Sequence, residues 1–160
     1  MIELTTAAVQ VATAQIITNR FGTFTVVPQT IISLPHGVVG MPECNRFCLI
    51  DVPNVRPKYD YLRAFKLLQS LDHDEVAFLV LPLDVSNQII SEEDVMCMLR
   101  QLSISQDGVV LLLIAMPQQL ADGLKVIGVN ARAPIVINSN TAVGIQHVIP
   151  GTKYSDNMIL

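Results

Sequence analysis

Short runs of apolar and β-branched residues, interrupted every few residues by turn formers, set the pattern of this chain. Phe24, Val26 and Ile31 with the threonines between them, Phe47 to Ile50, Val76 to Leu81, Val109 to Met116, Leu124 to Val129, Pro134 to Ile137 and Ala142 to Ile149 each read as a strand. The breaks fall at Pro35-His36-Gly37, Gly40-Met41-Pro42, Asp107-Gly108, Asp122-Gly123 and Asn138 to Asn140, residue types that set or tolerate turn dihedrals. Many short strands at this spacing predict a mostly β fold, a small closed or bent barrel or sandwich. Pro134 lacks an N–H and should open its strand or lie at an edge.

One segment changes period. Ser91 followed by Asp94 approximates a capping box, Glu92, Glu93 and Asp94 suit the positive end of a helix dipole, and Val95, Met98, Leu99 and Leu102 recur at helical spacing. A single short α-helix over about 91–102 is predicted. Tyr61 to Ser70, with Leu62, Phe65, Lys66 and Gln69, reads as a second short helix or an irregular packed loop. The first twenty residues read as an extra edge strand or a frayed extension. No repeat, low-complexity stretch or linker divides residues 1–160, so a single domain is expected.

Composition narrows the class. Of 160 residues, 51% are hydrophobic and 15% charged, against roughly 25% charged in an average soluble domain, which excludes disorder. The longest apolar run, Val109 to Met116, is closed by Gly108 and Pro117 and falls far short of the ~18 residues of a membrane span. No Lys or Arg precedes Arg20, unlike the basic start of a secretory signal. Cys44, Cys48 and Cys97 cannot pair completely, which suits a reducing cytosol.

Charge adds an asymmetry. The net charge is −4, which disfavours direct nucleic-acid binding. Residues 1–66 carry +2 and residues 67–160 carry −6. No Lys or Arg lies between Lys66 and Arg100, while Asp72, Asp74, Glu75, Asp84, Glu92, Glu93 and Asp94 all do. Uncompensated carboxylates speed encounter with a basic partner; the plainer role is a solubilising surface.

Motifs for chemistry are lacking. Neither a Gly-x-Ser-x-Gly elbow nor a Gly-Lys-Ser/Thr phosphate loop occurs. His36, Cys44 and Cys48 would leave a metal's fourth ligand unassigned, and free thiols ordinarily pack as small hydrophobes. Asp72-His73-Asp74 reads as an exposed turn, because sequence neighbours rarely converge on one atom. His147 reads as a hydrogen-bonded strand histidine. These readings favour an interaction protein over an enzyme.

Several strings together resemble the FliW family of flagellar assembly factors. They are Phe21-Gly22-Thr23-Phe24, then Ile31 to Gly40 with its Leu-Pro-x-Gly-x-x-Gly turn, Leu68-Gln69-Ser70-Leu71-Asp72, and Val76 to Pro82. Asn130, Ala133 to Asn138, Gln146 and Tyr154 follow in the expected order, so the resemblance spans roughly residues 20–158. Met41, Pro42, Gly128 and Ala131 depart from the pattern, and no tyrosine follows Pro82, which marks a divergent member.

The resemblance implies a monomeric, cytoplasmic, mostly β protein without catalytic activity or cofactor. It implies binding to flagellin and to the translational repressor CsrA, with secretion of flagellin freeing the factor to restrain CsrA. CsrA binds RNA, and such proteins usually carry a basic surface. Asp72, Asp74, Glu75, Glu92, Glu93 and Asp94 are therefore the candidate CsrA-facing residues. Leu68, Gln69 and Ser70 are a second candidate partner surface, since a Gln-Ser pair has no evident core role. Gly37, Gly40, Pro82, Pro134 and Asn138 are expected to serve turns and strand ends, and Phe78 the core. The rival reading is a small β-barrel ligand-binding protein or enzyme, which would show a pocket with converging polar groups and shifted pKa values.

Overall fold

The computed structural model describes residues 15–160, and its strands fall mainly where the apolar runs place them. In chain order they are β1 (Gln15–Asn19), β2 (Gly22–Val26), β3 (Ile32–Ser33), β4 (Arg46–Asp51), β5 (Lys66–Ser70) and β6 (Ala77–Leu83). The helix α1 (Glu92–Leu102) comes next, then β7 (Val109–Gln119), β8 (Lys125–Val129), β9 (Ile135–Asn138), β10 (Val143–Gln146) and β11 (Met158–Ile159). Two 3-10 segments, Pro28–Thr30 and Pro57–Ala64, each begin at a proline, whose fixed φ suits a first helical position.

β7 organises the sheet. Its length of 11 residues lets it pair along one side with β6 and divide its other side between two partners. Val109 to Leu112 pairs with β9, and Ala115 to Gln119 pairs with β8. The order β7-β6-β5-β4-β3-β10-β9, closed by β7 against β9, is a ring-like sheet from which β8 and β11 branch. The pairings are antiparallel except β10 with β3. Closure leaves few free strand edges, which protects a β protein from edge-to-edge association.

Alternation along β7 sorts its side chains between two cores. Leu112, with Val110 and Ile114, meets the cluster of Phe47, Leu68, Val80 and Ile135. Val109, Leu111, Leu113 and Ala115 meet Ile90, Val95, Met98 and Leu99 on the other side. α1 therefore covers one face of the sheet, which is why its apolar residues recur at helical spacing. β4 is divided in the same way: Phe47 and Leu49 pack in the first cluster, while Cys48 and Ile50 pack against Ile17 and Val26 of the β1–β2 hairpin.

The mostly β class and the α-helix at Glu92–Leu102 agree with the sequence reading. The helix begins one residue after its cap, where Ser91 Oγ accepts from the Asp94 N–H at 3.2 Å. Pro134 immediately precedes β9. Two expectations change. Tyr61 to Ser70 is neither helix nor loop throughout: the 3-10 segment ends at Ala64 and Lys66 to Ser70 is a strand between β4 and β6. Its residues Leu67 to Ser70 are all buried, so the alternation that announces a half-exposed strand is absent. Within the first twenty residues, and among the described residues, β1 pairs with β2 alone in a separate hairpin and is not an added edge of the main sheet; the rest of that expectation falls on residues 1–14, outside the described part.

Candidate functional site

Leu68, Gln69 and Ser70 are fully buried, which corrects their expected place on a partner surface. Leu68 lies in the Phe47 cluster. Gln69 and Ser70 build the turn that follows. Gln69 Nε2 donates to the carbonyl oxygens of Ser70 at 3.0 Å, Asp74 at 2.9 Å and Val76 at 3.2 Å, and Ser70 Oγ accepts the N–H groups of Asp72 and His73, both at 3.1 Å. A buried glutamine is tolerated because its polar atoms are satisfied. Signals for partner binding and for turn closure look alike in sequence, since both call for Gln and Ser.

This turn positions the first acidic group. Asp72 Oδ2 accepts the N–H of Asn45 at 2.8 Å and of Arg46 at 3.0 Å, and its Oδ1 meets Arg46 Nε at 3.1 Å. Partial burial pushes the Asp72 carboxyl up, but these hydrogen bonds and the guanidinium outweigh it and hold the group below its ordinary range. Asp72 thus braces two loops, whereas Asp74 and Glu75 are exposed and have no salt-bridge partner among the described residues. Beside them, donor atoms of Glu43, Cys44 and His73 lie within 4.8 Å of one another, with Cys44 buried; His36 and Cys48 are not in this group. Cys44 also belongs to the apolar Phe47 cluster, and Cys48 is buried with its thiol pushed up by desolvation.

The second acidic group sits at the start of α1. Asp94 accepts from Lys153 Nζ at 2.7 Å, from Ser91 Oγ at 2.9 Å and from the Tyr154 hydroxyl. The Lys153 ammonium, then Tyr154 and Ser91, hold its carboxyl down at about 2. Glu92 and Glu93 are exposed and without a salt-bridge partner among the described residues. The whole of β6 separates the two acidic groups along the chain, and different elements hold them. Apart from Asp84, whose Oδ1 accepts from the Ser86 N–H and hydroxyl, the acidic stretch is therefore two anchored groups, each with one structural carboxylate and two without a salt bridge among the described residues.

Other residues of the quoted strings also act on the backbone. Gly37 has φ +67°, and a Cβ there would lie 2.3 Å from the Met41 carbonyl oxygen. Asn130 Oδ1 accepts the N–H groups of Arg132 and Ala133. Gln146 bridges two loops, its Oε1 accepting from the Val39 N–H at 2.7 Å and its Nε2 donating to the Ala133 carbonyl at 3.0 Å. Phe78 packs with Phe47, ring centroids 6.4 Å apart. Asn138 Oδ1 caps the following turn by accepting from the Asn140 N–H. His147 donates its backbone N–H to Pro134 O, and burial pushes its imidazole down.

A concavity lies elsewhere, between the segment Pro57–Ala64 and the β7–β8 hairpin. It has a volume of about 770 Å³ and is lined by Tyr59, Tyr61, Leu62, Phe65, Lys125, Ile127 and Leu160 among others. Among the described residues that line it, Lys125 is the one ionisable side chain besides the two tyrosines, and these offer no facing acid, base and nucleophile of a reaction centre. No motif in the sequence announces this groove. Its available signal was the cluster of Arg56, Lys58, Arg63 and Lys66 interleaved with Tyr59 and Tyr61.

Comparison with known proteins decides the family. The model of the family described as FliW protein matches residues 15–158. The chain belongs to the FliW family. Among its relatives, the flagellar assembly factor FliW of Geotalea uraniireducens (strain Rf4) is 31% identical over 148 residues, covering 88% of this chain and 80% of the relative. The FliW of Geobacter sulfurreducens (strain ATCC 51573 / DSM 12127 / PCA) is 31% identical over 144 residues, covering 86% and 80%. A crystal structure of the flagellar assembly factor FliW superposes with a TM-score of 0.65 at 21% identity, over 91% of this chain and 96% of that one. The ring-like sheet is thus the FliW fold. Along it, this FliW chain directs the side chains of Gln69, Ser70, Asn130, Asn138 and Gln146 at its own turns and loops.

Proposed function

We propose that this chain is a cytoplasmic, monomeric flagellar assembly factor without enzymatic activity that binds flagellin and antagonises the translational repressor CsrA by partner switching. The observation that carries the reading is the FliW match over residues 15–158, on a fold whose groove has an apolar rather than a reactive lining. No helix among the described residues is long and apolar enough to cross a membrane. Asp74, Glu75, Glu92 and Glu93, exposed and without salt bridges among the described residues, supply negative potential toward a basic partner such as CsrA. Asp72 and Asp94 contribute by holding those groups in place.

Calorimetric titration with the organism's flagellin and, separately, its CsrA tests this at low and moderate salt. Micromolar or tighter binding to flagellin, and CsrA binding that weakens as salt rises, are expected. Reversal of Asp74 and Glu75 to Lys, and in a second variant of Glu92 and Glu93, identifies which acidic group faces CsrA. Binding to neither protein overturns the reading.

A further inference from the structure

The groove beside Pro57–Ala64 carries charge of the opposite sign to the acidic groups. Lys125 lines it. The Lys58 ammonium lies 4.8 Å from the centroid of the Tyr59 ring, a cation–π distance. Lys58, Lys125 and Arg56 together lower the Tyr59 phenol from its ordinary value, as a positive potential must. Arg46, Arg63, Lys66 and Lys153 are each paired with a carboxylate. Arg56, Lys58 and Lys125 have no such partner among the described residues.

Apolar surface gathers at the same place. Tyr61 is 56% exposed and Leu160 54%, both in the groove wall. Leu120 and Leu124, at the turn of the β7–β8 hairpin whose strands line the groove, are exposed as well. Concave apolar surface edged by polar groups marks an interaction site more often than chance exposure does. In a chain of net charge −4, three unpaired cations around that surface select an occupant that is both apolar and anionic. A second copy of the chain fits poorly: a two-fold contact through the groove would set Lys58 and Lys125 against their own counterparts.

We propose that this groove docks an apolar peptide segment flanked by carboxylates, presented by a protein partner. Apolar side chains enter between Tyr61 and Phe65 on one wall and Ile127 and Leu160 on the other, and the carboxylates meet Lys58 and Lys125. The proposal rests on the reading of this chain as a protein-binding factor, but on neither acidic group and on no particular partner.

The test is fluorescence anisotropy with a dye-labelled amphipathic peptide, leucines on one face and glutamates flanking them, against the same peptide with each glutamate replaced by lysine. The glutamate peptide should bind and weaken with salt. Its affinity should fall roughly tenfold or more in the Lys58→Glu, Lys125→Glu double variant, where like charges meet, and in Tyr61→Ala, which removes an exposed aromatic anchor. These side chains lie on the surface, and unchanged melting temperatures would establish that the variants fold. Equal binding of the two peptides, binding unmoved by the variants, or no binding of either overturns the proposal. So does a dimer in sedimentation analysis that Tyr61→Ala dissociates. Failure with flagellin and CsrA but success here would remove the functional reading and keep the docking site; the reverse would place both partners elsewhere.

Discussion

Asn19 and Gln69 join the β1–β2 hairpin to the ring-like sheet: Asn19 Nδ2 donates to Gln69 Oε1 at 2.8 Å and to the Asp74 carbonyl at 2.7 Å. Gln69 in turn donates to that carbonyl. One buried amide thus ties together β5, the turn after it and a hairpin some fifty residues earlier in the chain. Gln69→Ala would strand several of these groups, and unsatisfied buried partners cost about 1–3 kcal/mol. Urea denaturation should show a loss of that size. Hydrogen exchange should show faster opening of β1 and β2 than of β7, and a loss below about 0.5 kcal/mol would contradict the structural role.

Gly37 and Gly40 offer an internal comparison. Both have positive φ, +67° and +88°, so alanine at either site pays the left-handed penalty of roughly 1–2 kcal/mol. At Gly37 the new Cβ would also meet the Met41 carbonyl oxygen at 2.3 Å and Pro42 Cα at 2.6 Å, whereas at Gly40 nothing lies within 4 Å. Backbone atoms cannot step aside as a flexible side chain can. Thermal melting should therefore rank Gly37→Ala well below Gly40→Ala, and equal melting temperatures would sink the argument.

Core truncation should follow the alternation of β7. Leu112 is fully buried where β7 lies between β6 and β9, and Leu→Ala at such sites costs about 2–5 kcal/mol. Met116 on the same strand is 66% exposed, so Met116→Ala should stay within about 0.5 kcal/mol. Chemical denaturation of the two variants checks the contrast.

These cases show why some of the protein is legible in sequence and some is not. α1 announces itself because Ser91 caps it and only one of its faces is buried. β8 and β9 announce themselves as β-branched runs bounded by Gly, Pro and Asn, and β7 as an apolar run that in the fold continues past Met116 through Pro117 to Gln119. β5 does not, because burial of Leu67 through Ser70 erases the period-2 signal and leaves leucines that fit a helix as well. The roles of Gln69 and Asp72 depend on Asn19, Asn45 and Arg46, which are distant in sequence. The groove is less legible still, since its walls come from Pro57–Ala64, β7, β8 and Leu160, and no local pattern records that they meet.

Asp94 gives the clearest pH dependence. Its carboxyl, ordinarily near 3.8, is held at about 2 by Lys153, Tyr154 and Ser91. A carboxyl depressed by folding binds its proton more readily in the unfolded chain, so protonation favours unfolding. Its contribution is complete above about pH 3.8 and is lost as pH falls through that range toward 2. Asp94→Asn keeps the side chain's shape and removes the titration. Acid unfolding of the two proteins should therefore differ by a constant amount near neutrality, with the gap closing between these two pH values. High salt should narrow the gap at neutral pH, because Lys153 is exposed and its pairing is screened. Tyr154→Phe, which deletes one donor to the same carboxylate, should raise the Asp94 pKa part of the way back, readable in the carboxyl carbon shift by NMR. A gap unchanged down to pH 2 would mean that Asp94 is not the group that couples the start of α1 to residues 153 and 154.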